Sequence, residues 1–314
     1  MRPITDRNEA YVHGYDPREG ERLHDQAGTL TDLLHSDTAY PSGSLVLEAG
    51  CGVGAQTVAL ARRSPDARFT SIDISPKSID AARRKVEDAE LANVRFQQAG
   101  IFALPFPAQS FDHVFVCFVL EHLPRPAQAL LTLKEQLRLG GTITVIEGDH
   151  GSTYFHPDSA AAREAIECLV ALQRAAGGNA LIGRQLYPLM AGAGFAQVQV
   201  SPRTVYVDAS RPDLVDGFTR KTFTAMIQGV RASAISGGAD RTGALRSRNP
   251  GSLPHDRGRR RVLLHLFQRH RKQAGRGVRD LPRRAALSCG DQPPIYDISI
   301  LRPSSGGSCP RSSE

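Results

Sequence analysis

No apolar run in the 314 residues approaches the ~18 that a membrane-spanning helix needs. The first residues, Met1-Arg2-Pro3-Ile4-Thr5-Asp6, contain no hydrophobic leader, so a cytoplasmic location is the expectation. Cysteine is sparse: Cys51, Cys117, Cys168, Cys289 and Cys309 show neither CxxC spacing nor dense clustering. That pattern argues against a disulfide framework or a zinc site, and for reduced thiols with no bound metal. A net positive charge is missing from most of the chain despite a total of +7. From Arg241 onward there are 16 Lys+Arg against 5 Asp+Glu, which leaves 23 against 27 in residues 1–240. The basicity belongs to the tail, so the rest offers no general phosphate-binding face and a nucleic-acid partner is not expected.

The most informative stretch is Leu45-Val46-Leu47-Glu48-Ala49-Gly50-Cys51-Gly52-Val53-Gly54. Three apolar residues in a row fit a short strand covered on both faces. The alternate glycines Gly50, Gly52 and Gly54 let the backbone lie close to a ligand, and a helix from about Ala55 offers unpaired N–H groups. Gly50, Gly52 and Ala55 also satisfy the dinucleotide pattern G-x-G-x-x-G/A, so an NAD(P)-dependent oxidoreductase competes at this point. Glu48 separates the two, because a negative charge at the strand end suits an ammonium or sulfonium better than a pyrophosphate.

An acidic residue followed by G-x-G-x-G resembles motif I of the class I S-adenosylmethionine-dependent methyltransferases. The resemblance implies a Rossmann-like, doubly wound α/β sheet, S-adenosyl-L-methionine as cofactor and a small-molecule acceptor. It runs over roughly residues 8–235 and is strongest at 45–54, 68–73 and 111–124. Residues 8–36 read as a loop and helix over the turn, and Tyr15, Arg22 and Gln26 are candidates for the cofactor's carboxylate, as in the N-terminal lids of related enzymes. Arg68–Ile72 reads as the second strand and ends on Asp73, placed to accept from ribose hydroxyls, with Ile74 beside it. Ser75-Pro76 predicts a capped helix start. The third strand, Asn93–Gln98, is followed by Gly100 and Ile101. Similar sequences often carry an aspartate at the Gly100 position for the adenine amine, so adenine recognition here falls to backbone groups such as the Ile101 N–H.

Phe111-Asp112-His113-Val114-Phe115-Val116-Cys117-Phe118-Val119-Leu120-Glu121-His122-Leu123 is similar to the fourth-strand block of small-molecule methyltransferases, including the quinone-biosynthesis type. Phe118 at the strand end joins the cofactor set. Glu121 and His122 tempt an acid–base assignment, although in similar sequences this pair more often anchors the following helix. A fifth strand, Thr142–Ile146, leads to Glu147-Gly148-Asp149-His150-Gly151-Ser152, read as a polar loop facing the substrate. His150, oriented by Asp149, is the candidate for deprotonating an acceptor. Residues 153–193 add a helical insert before the sixth strand, Phe195–Val200, and Tyr154, Phe155 and Tyr187 are candidate pocket walls.

The methyltransferase domain is assigned to residues 1–240. Beyond Arg241 the chain is rich in Arg, Gly, Pro and Ser, its aromatics are Phe267 and Tyr296, and no convincing last strand follows. One reading is a disordered basic tail. A second is a change of coding frame near residue 240, because residues 253–268, written in G+C-rich codons and shifted by one base, can spell an aromatic, alternating strand. A nucleic-acid-binding or RNA-modifying protein using the basic tail is the reading from another class. An Asn-Pro-Pro-Tyr-like motif after the fourth strand would favour it, and Cys117-Phe118-Val119-Leu120 is not one.

Overall fold

The computed structural model describes residues 29–226 and the backbone of residues 261–272. Tyr15, Arg22 and Gln26 lie outside the described residues, as do most of the proposed lid and of the basic tail. Residues 29–35 belong to helix α1. Strand β1 (Leu45–Ala49) then feeds α2 (Ala55–Arg63), β2 (Arg68–Asp73), α3 (Pro76–Asp88) and β3 (Val94–Gln98). From β4 (Phe111–Cys117) the chain passes through a short 3₁₀ turn, Leu120–His122, into α4 (Pro126–Gln136) and β5 (Leu137–His156). The insert supplies α5 (Ala160–Ala175), a 3₁₀ turn at Ile182–Gln185 and α6 (Leu186–Gly192). It is followed by β6 (Gln199–Val207), the short α7 (Pro212–Leu214) continuing as a π-helix over Val215–Thr224, and β7 (Arg261–Lys272).

The sheet order is β3-β2-β1-β4-β5-β7-β6. The first five strands pair in parallel, while β7 runs antiparallel to both β5 and β6. The doubly wound α/β arrangement predicted from the sequence is therefore present, with the helical insert between β5 and β6. The order reverses at β1, whose neighbours β2 and β4 receive crossovers of opposite direction, and a crevice opens at such a switch point.

Apolar periodicity explains the two cores. On one sheet face Leu30 and Leu34 of α1, Leu60 and Ala61 of α2, Ile166 and Leu169 of α5, and Phe218 and Phe223 of the π-helix pack on Val46, Phe69 and Phe115. The other face takes Ala129, Leu130 and Leu133 of α4 with Ile182, Leu186 and Met190 of the insert, against Leu47, Val114, Val116, Ile143 and Val145. The insert thus contributes to both layers. Ser75 caps α3 as predicted, its hydroxyl accepting from the Ser78 N–H at 3.2 Å with Pro76 in the first turn.

Three sequence expectations are corrected. A strand does follow Arg241: Arg261–Lys272 fills the place between β5 and β6, where the apolar run Val262–Phe267 satisfies a strand despite the arginines around it. β5 does not stop at Ile146 but continues to His156, so Glu147–Ser152 is strand and not loop; β7 pairs with it through Asp149 and again from Tyr154, the register shifting between them. β6 begins at Gln199 and not Phe195, after Gln197 in the left-handed region (φ 55°).

Every sheet partner of β6 among the described residues lies on β7. A chain ending at residue 240 would leave β6 unpaired and the β5 edge open, so its midpoint in thermal unfolding should fall by several degrees. Amide exchange in residues 199–207 should lose its protection. An unchanged midpoint and unchanged protection would contradict the pairing.

Candidate functional site at the carboxyl ends of β1, β4 and β5

The glycine turn sits where β1 runs into α2. The Ile72 carbonyl accepts from both Gly50 N (2.8 Å) and Cys51 N (2.9 Å), which folds the turn back over β2. Gly50 and Gly54 are held at φ 81° and 76°, and neither has room for a side chain. A Cβ on Gly50 would stand 2.5 Å from Val119 Cγ2, and one on Gly54 would stand 2.8 Å from the Ala82 Cα of α3. Gly52 differs: a Cβ there would meet nothing within 4 Å. The turn is therefore packed by protein at its first and third glycines and open at its middle one.

Asp73 lies directly against this opening. One carboxylate oxygen accepts from Gly52 N and the other from Ser75 N, each at 2.9 Å. Burial raises its pKa, and the backbone N–H groups partly offset that shift. Beside it Ile74 is an exposed apolar side chain, with Gly100 next to it and Ile101 buried behind. The structure thus brings Gly50, Gly52, Gly54, Asp73, Ile74, Gly100 and Ile101 to one rim. Phe118 follows β4 directly, holding a left-handed backbone (φ 55°) while its N–H donates to Ile146 O at 2.8 Å. A non-glycine residue in that region carries strain that the surrounding structure must hold.

Glu48 stands at the strand end, as read from the sequence, but its carboxylate is turned to the protein's own donors. Its Oε2 accepts from Ser71 Oγ at 2.6 Å and Thr57 Oγ1 at 2.8 Å, beneath the turn and shielded from solvent. Burial pushes its pKa up to about 7, against two hydroxyl donors that lower it. Glu48 ties β1, β2 and α2 together and carries less fixed charge than the sequence reading gave it.

The catalytic pair predicted from sequence is not brought together. Asp149 is clamped by Arg184, with Nε to Oδ2 at 2.9 Å and Nη2 to Oδ1 at 2.8 Å, and Oδ2 also accepts from Ser152 Oγ at 2.7 Å. Both Asp149 oxygens are taken by these partners, and none of its hydrogen bonds among the described residues goes to His150. His150 instead faces Glu121, with Nε2 at 3.5 Å from Oε2. Glu121 is also 3.6 Å from His122 Nε2. Around them, Glu147 is fully buried and accepts from the amides of Val119 (3.0 Å), Leu120 (2.7 Å) and Glu121 (3.3 Å), fixing the turn after β4. Burial, then the Glu121 charge, holds its carboxyl well above the usual range.

Sequence reasoning missed the roles of Glu147, Gln173 and Arg184. A signal existed for the first: Glu147 closes the apolar strand Ile143–Ile146 as Glu48 closes Leu45–Leu47. The candidate pocket walls divide. Phe155 is half-buried with its ring 6.4 Å from that of Phe223, whereas Tyr154 and Tyr187 are largely exposed.

Comparison with known proteins agrees with this architecture. Residues 47–145 match the methyltransferase-domain family. An uncharacterised 37.1 kDa protein of a Streptomyces fradiae transposon is 36% identical over 224 residues, 65% of this chain and 62% of that protein. A demethylmenaquinone methyltransferase of Listeria welshimeri is 32% identical over 33% of this chain and 45% of its own length. The chain thus spans less than two thirds of the curated relatives it matches. Among solved structures, a Haemonchus contortus phosphoethanolamine N-methyltransferase with bound S-adenosylhomocysteine superposes with a TM-score of 0.53 at 13% identity. It covers 85% of this chain and 61% of that one, and shows the shared fold.

Two measurements test the site's construction. Glu48 in the folded state holds its proton to a pH of about 7, whereas an unfolded glutamate releases it near the usual 4.5, so folding loses stability as pH rises between these values. Glu48→Gln keeps an acceptor oxygen for Thr57 and Ser71 without that loss. Denaturant unfolding should show it near wild type at pH 5 and more stable at pH 8, by on the order of 3 kcal/mol; equal stability at both pH values would contradict the shift. Gly100 has an ordinary backbone, and a Cβ there would meet only Ile74 Cγ2 at 3.4 Å. Gly100→Asp should therefore be accommodated and should tighten S-adenosylhomocysteine binding by about tenfold, the worth of one hydrogen bond to a charged group. Unchanged or weaker affinity by calorimetry would contradict it.

Proposed function

We propose that this protein, whose residues 47–145 match the methyltransferase-domain family, transfers a methyl group from S-adenosyl-L-methionine to a small-molecule acceptor. The observation that carries the reading is the rim itself. A glycine turn open only at Gly52 stands against the Asp73 carboxylate and the exposed Ile74. Such a rim fits an adenosine: apolar surface for the base, a carboxylate for the ribose hydroxyls and bare backbone for close approach. The sheet argues against the dinucleotide alternative. A nicotinamide-binding sheet of the 3-2-1-4-5-6 kind is parallel throughout, whereas here an antiparallel β7 stands between β5 and β6.

When bound, the cofactor supplies an electrophilic methyl group on a sulfonium. The protein's own residues then have three tasks. Gly50 to Gly54 and Asp73 hold the nucleoside. The strained Phe118 backbone and the Glu147-fixed turn define the wall beside it, so that catalysis rests largely on proximity and orientation. His150 takes the acceptor's proton, where the acceptor carries one, and its burial keeps competing water away.

An acceptor screen with methyl-labelled S-adenosylmethionine, using small phenols, quinols, carboxylates and amines, tests the reading. Label should pass to a small molecule. His150→Ala should lower turnover about 10²-fold or more while leaving S-adenosylhomocysteine affinity in place. Label passing to RNA alone would overturn the small-molecule assignment, and an undiminished His150→Ala turnover at every pH would remove His150 as the base.

A further inference from the structure

Glu121 stands between two imidazoles, on the turn that Glu147 fixes, and the acid–base scheme above leaves it without a task. Its backbone is held on both sides. The Glu121 N–H donates to Glu147 Oε2 at 3.3 Å, and its carbonyl accepts from Asn179 N at 2.7 Å and Gln173 Nε2 at 3.0 Å. The same Gln173 amide lies 3.3 Å from carboxylate Oε2. Gly178 leaves no slack, since a Cβ there would fall 2.4 Å from the Glu121 carbonyl. A buried glutamate bonded this way is far more constrained than helix anchoring requires.

His150 is pinned in the same fashion. Its N–H donates to Ala180 O at 3.0 Å, and its carbonyl accepts from Thr153 Oγ1 at 2.8 Å. Its ring places Nε2 3.5 Å from Glu121 Oε2, within ion-pair range. Its Nδ1 is buried and has no hydrogen-bond partner among the described residues. A neutral imidazole carries one N–H and one lone pair, and Glu121, where ionised, can only accept. The N–H therefore belongs at Nε2 and the lone pair at Nδ1.

We infer that Glu121 is the positioning residue of the transfer site: it fixes the His150 ring and its tautomer so that Nδ1 is the nitrogen that receives the acceptor's proton. This rests on the reading of His150 as the base. In the step, the acceptor's X–H bond breaks and its proton passes to Nδ1. The freed electron pair of X forms the bond to the methyl carbon, and the carbon–sulfur bond breaks with its pair going to sulfur. The imidazolium so formed has the Glu121 carboxylate at its Nε2 side. Gln173 extends the same hold into the insert, so the segment between β5 and β6 supports the base as well as covering the sheet.

Two measurements test the inference. In the wild-type protein, long-range nitrogen–proton correlation spectra should show neutral His150 as the Nε2–H tautomer; an Nδ1–H tautomer overturns the inference, whether or not an acceptor is known. With an acceptor in hand, Glu121→Gln should lower kcat about 10²-fold while KM for S-adenosylmethionine stays within about twofold. In a His150→Gln background the same change should cost nothing more, because the two act as one unit. An undiminished kcat, or losses that simply multiply, would overturn it. If Glu121→Gln does not fold, the wild-type tautomer decides. If the protein binds no S-adenosylhomocysteine and methylates nothing, the functional reading fails by itself, and the His150 tautomer still reports whether Glu121 sets the ring.

Discussion

A single buried oxygen, Glu48 Oε2, ties three elements together at the carboxyl end of β1. Two hydroxyls from different elements, Thr57 on α2 and Ser71 on β2, donate to it. It is the shared side-chain acceptor of strand, helix and neighbouring strand beneath a turn that must keep its glycines in left-handed geometry. The turn's other fixed points on β2 are the Ile72 carbonyl and the Asp73 carboxylate. The spacing of β1, β2 and α2 therefore decides whether Gly52 stays open.

The carboxylates at the strand ends divide the work. Glu48 and Glu147 are fully or nearly fully buried and spend their oxygens on the protein's own donors, one under the glycine turn and one under the turn after β4. Asp149 is taken by Arg184. Asp73 keeps its contact with the open glycine, and Glu121 faces two histidines. Burying several acids side by side costs stability, since each is pushed toward its protonated form. The return is a set of backbone turns fixed to within a hydrogen bond's tolerance, which chemistry that depends on orientation requires.

How much of this was legible follows from where local pattern governs. β1 to β4, the glycine turn and the α3 cap could be read because apolar runs, glycines and the Ser75-Pro76 start act over a few residues. The Asp149–His150 pair was misread because those residues look like a loop until β7 is known. Only the fold reveals that Arg184, 35 residues on, takes the Asp149 carboxylate while Glu121 stands at His150. β7 itself was hidden by its arginines and by the distance in sequence to its partners. Glu48 was placed at the strand end as a fixed negative charge, whereas burial raises its pKa, since nothing local announces that Ser71, 23 residues away, closes over it. Gln173 and Arg184 act across the insert, and no short spacing encodes such contacts.

The central claim is that this rim holds an adenosyl sulfur cofactor and not a dinucleotide. Calorimetric titration of the full chain with S-adenosylhomocysteine and, separately, with NAD tests it most directly. Saturable one-to-one binding of S-adenosylhomocysteine, lost in Asp73→Ala, with no saturable heat from NAD is the expected result. Saturable NAD binding without S-adenosylhomocysteine binding would contradict it.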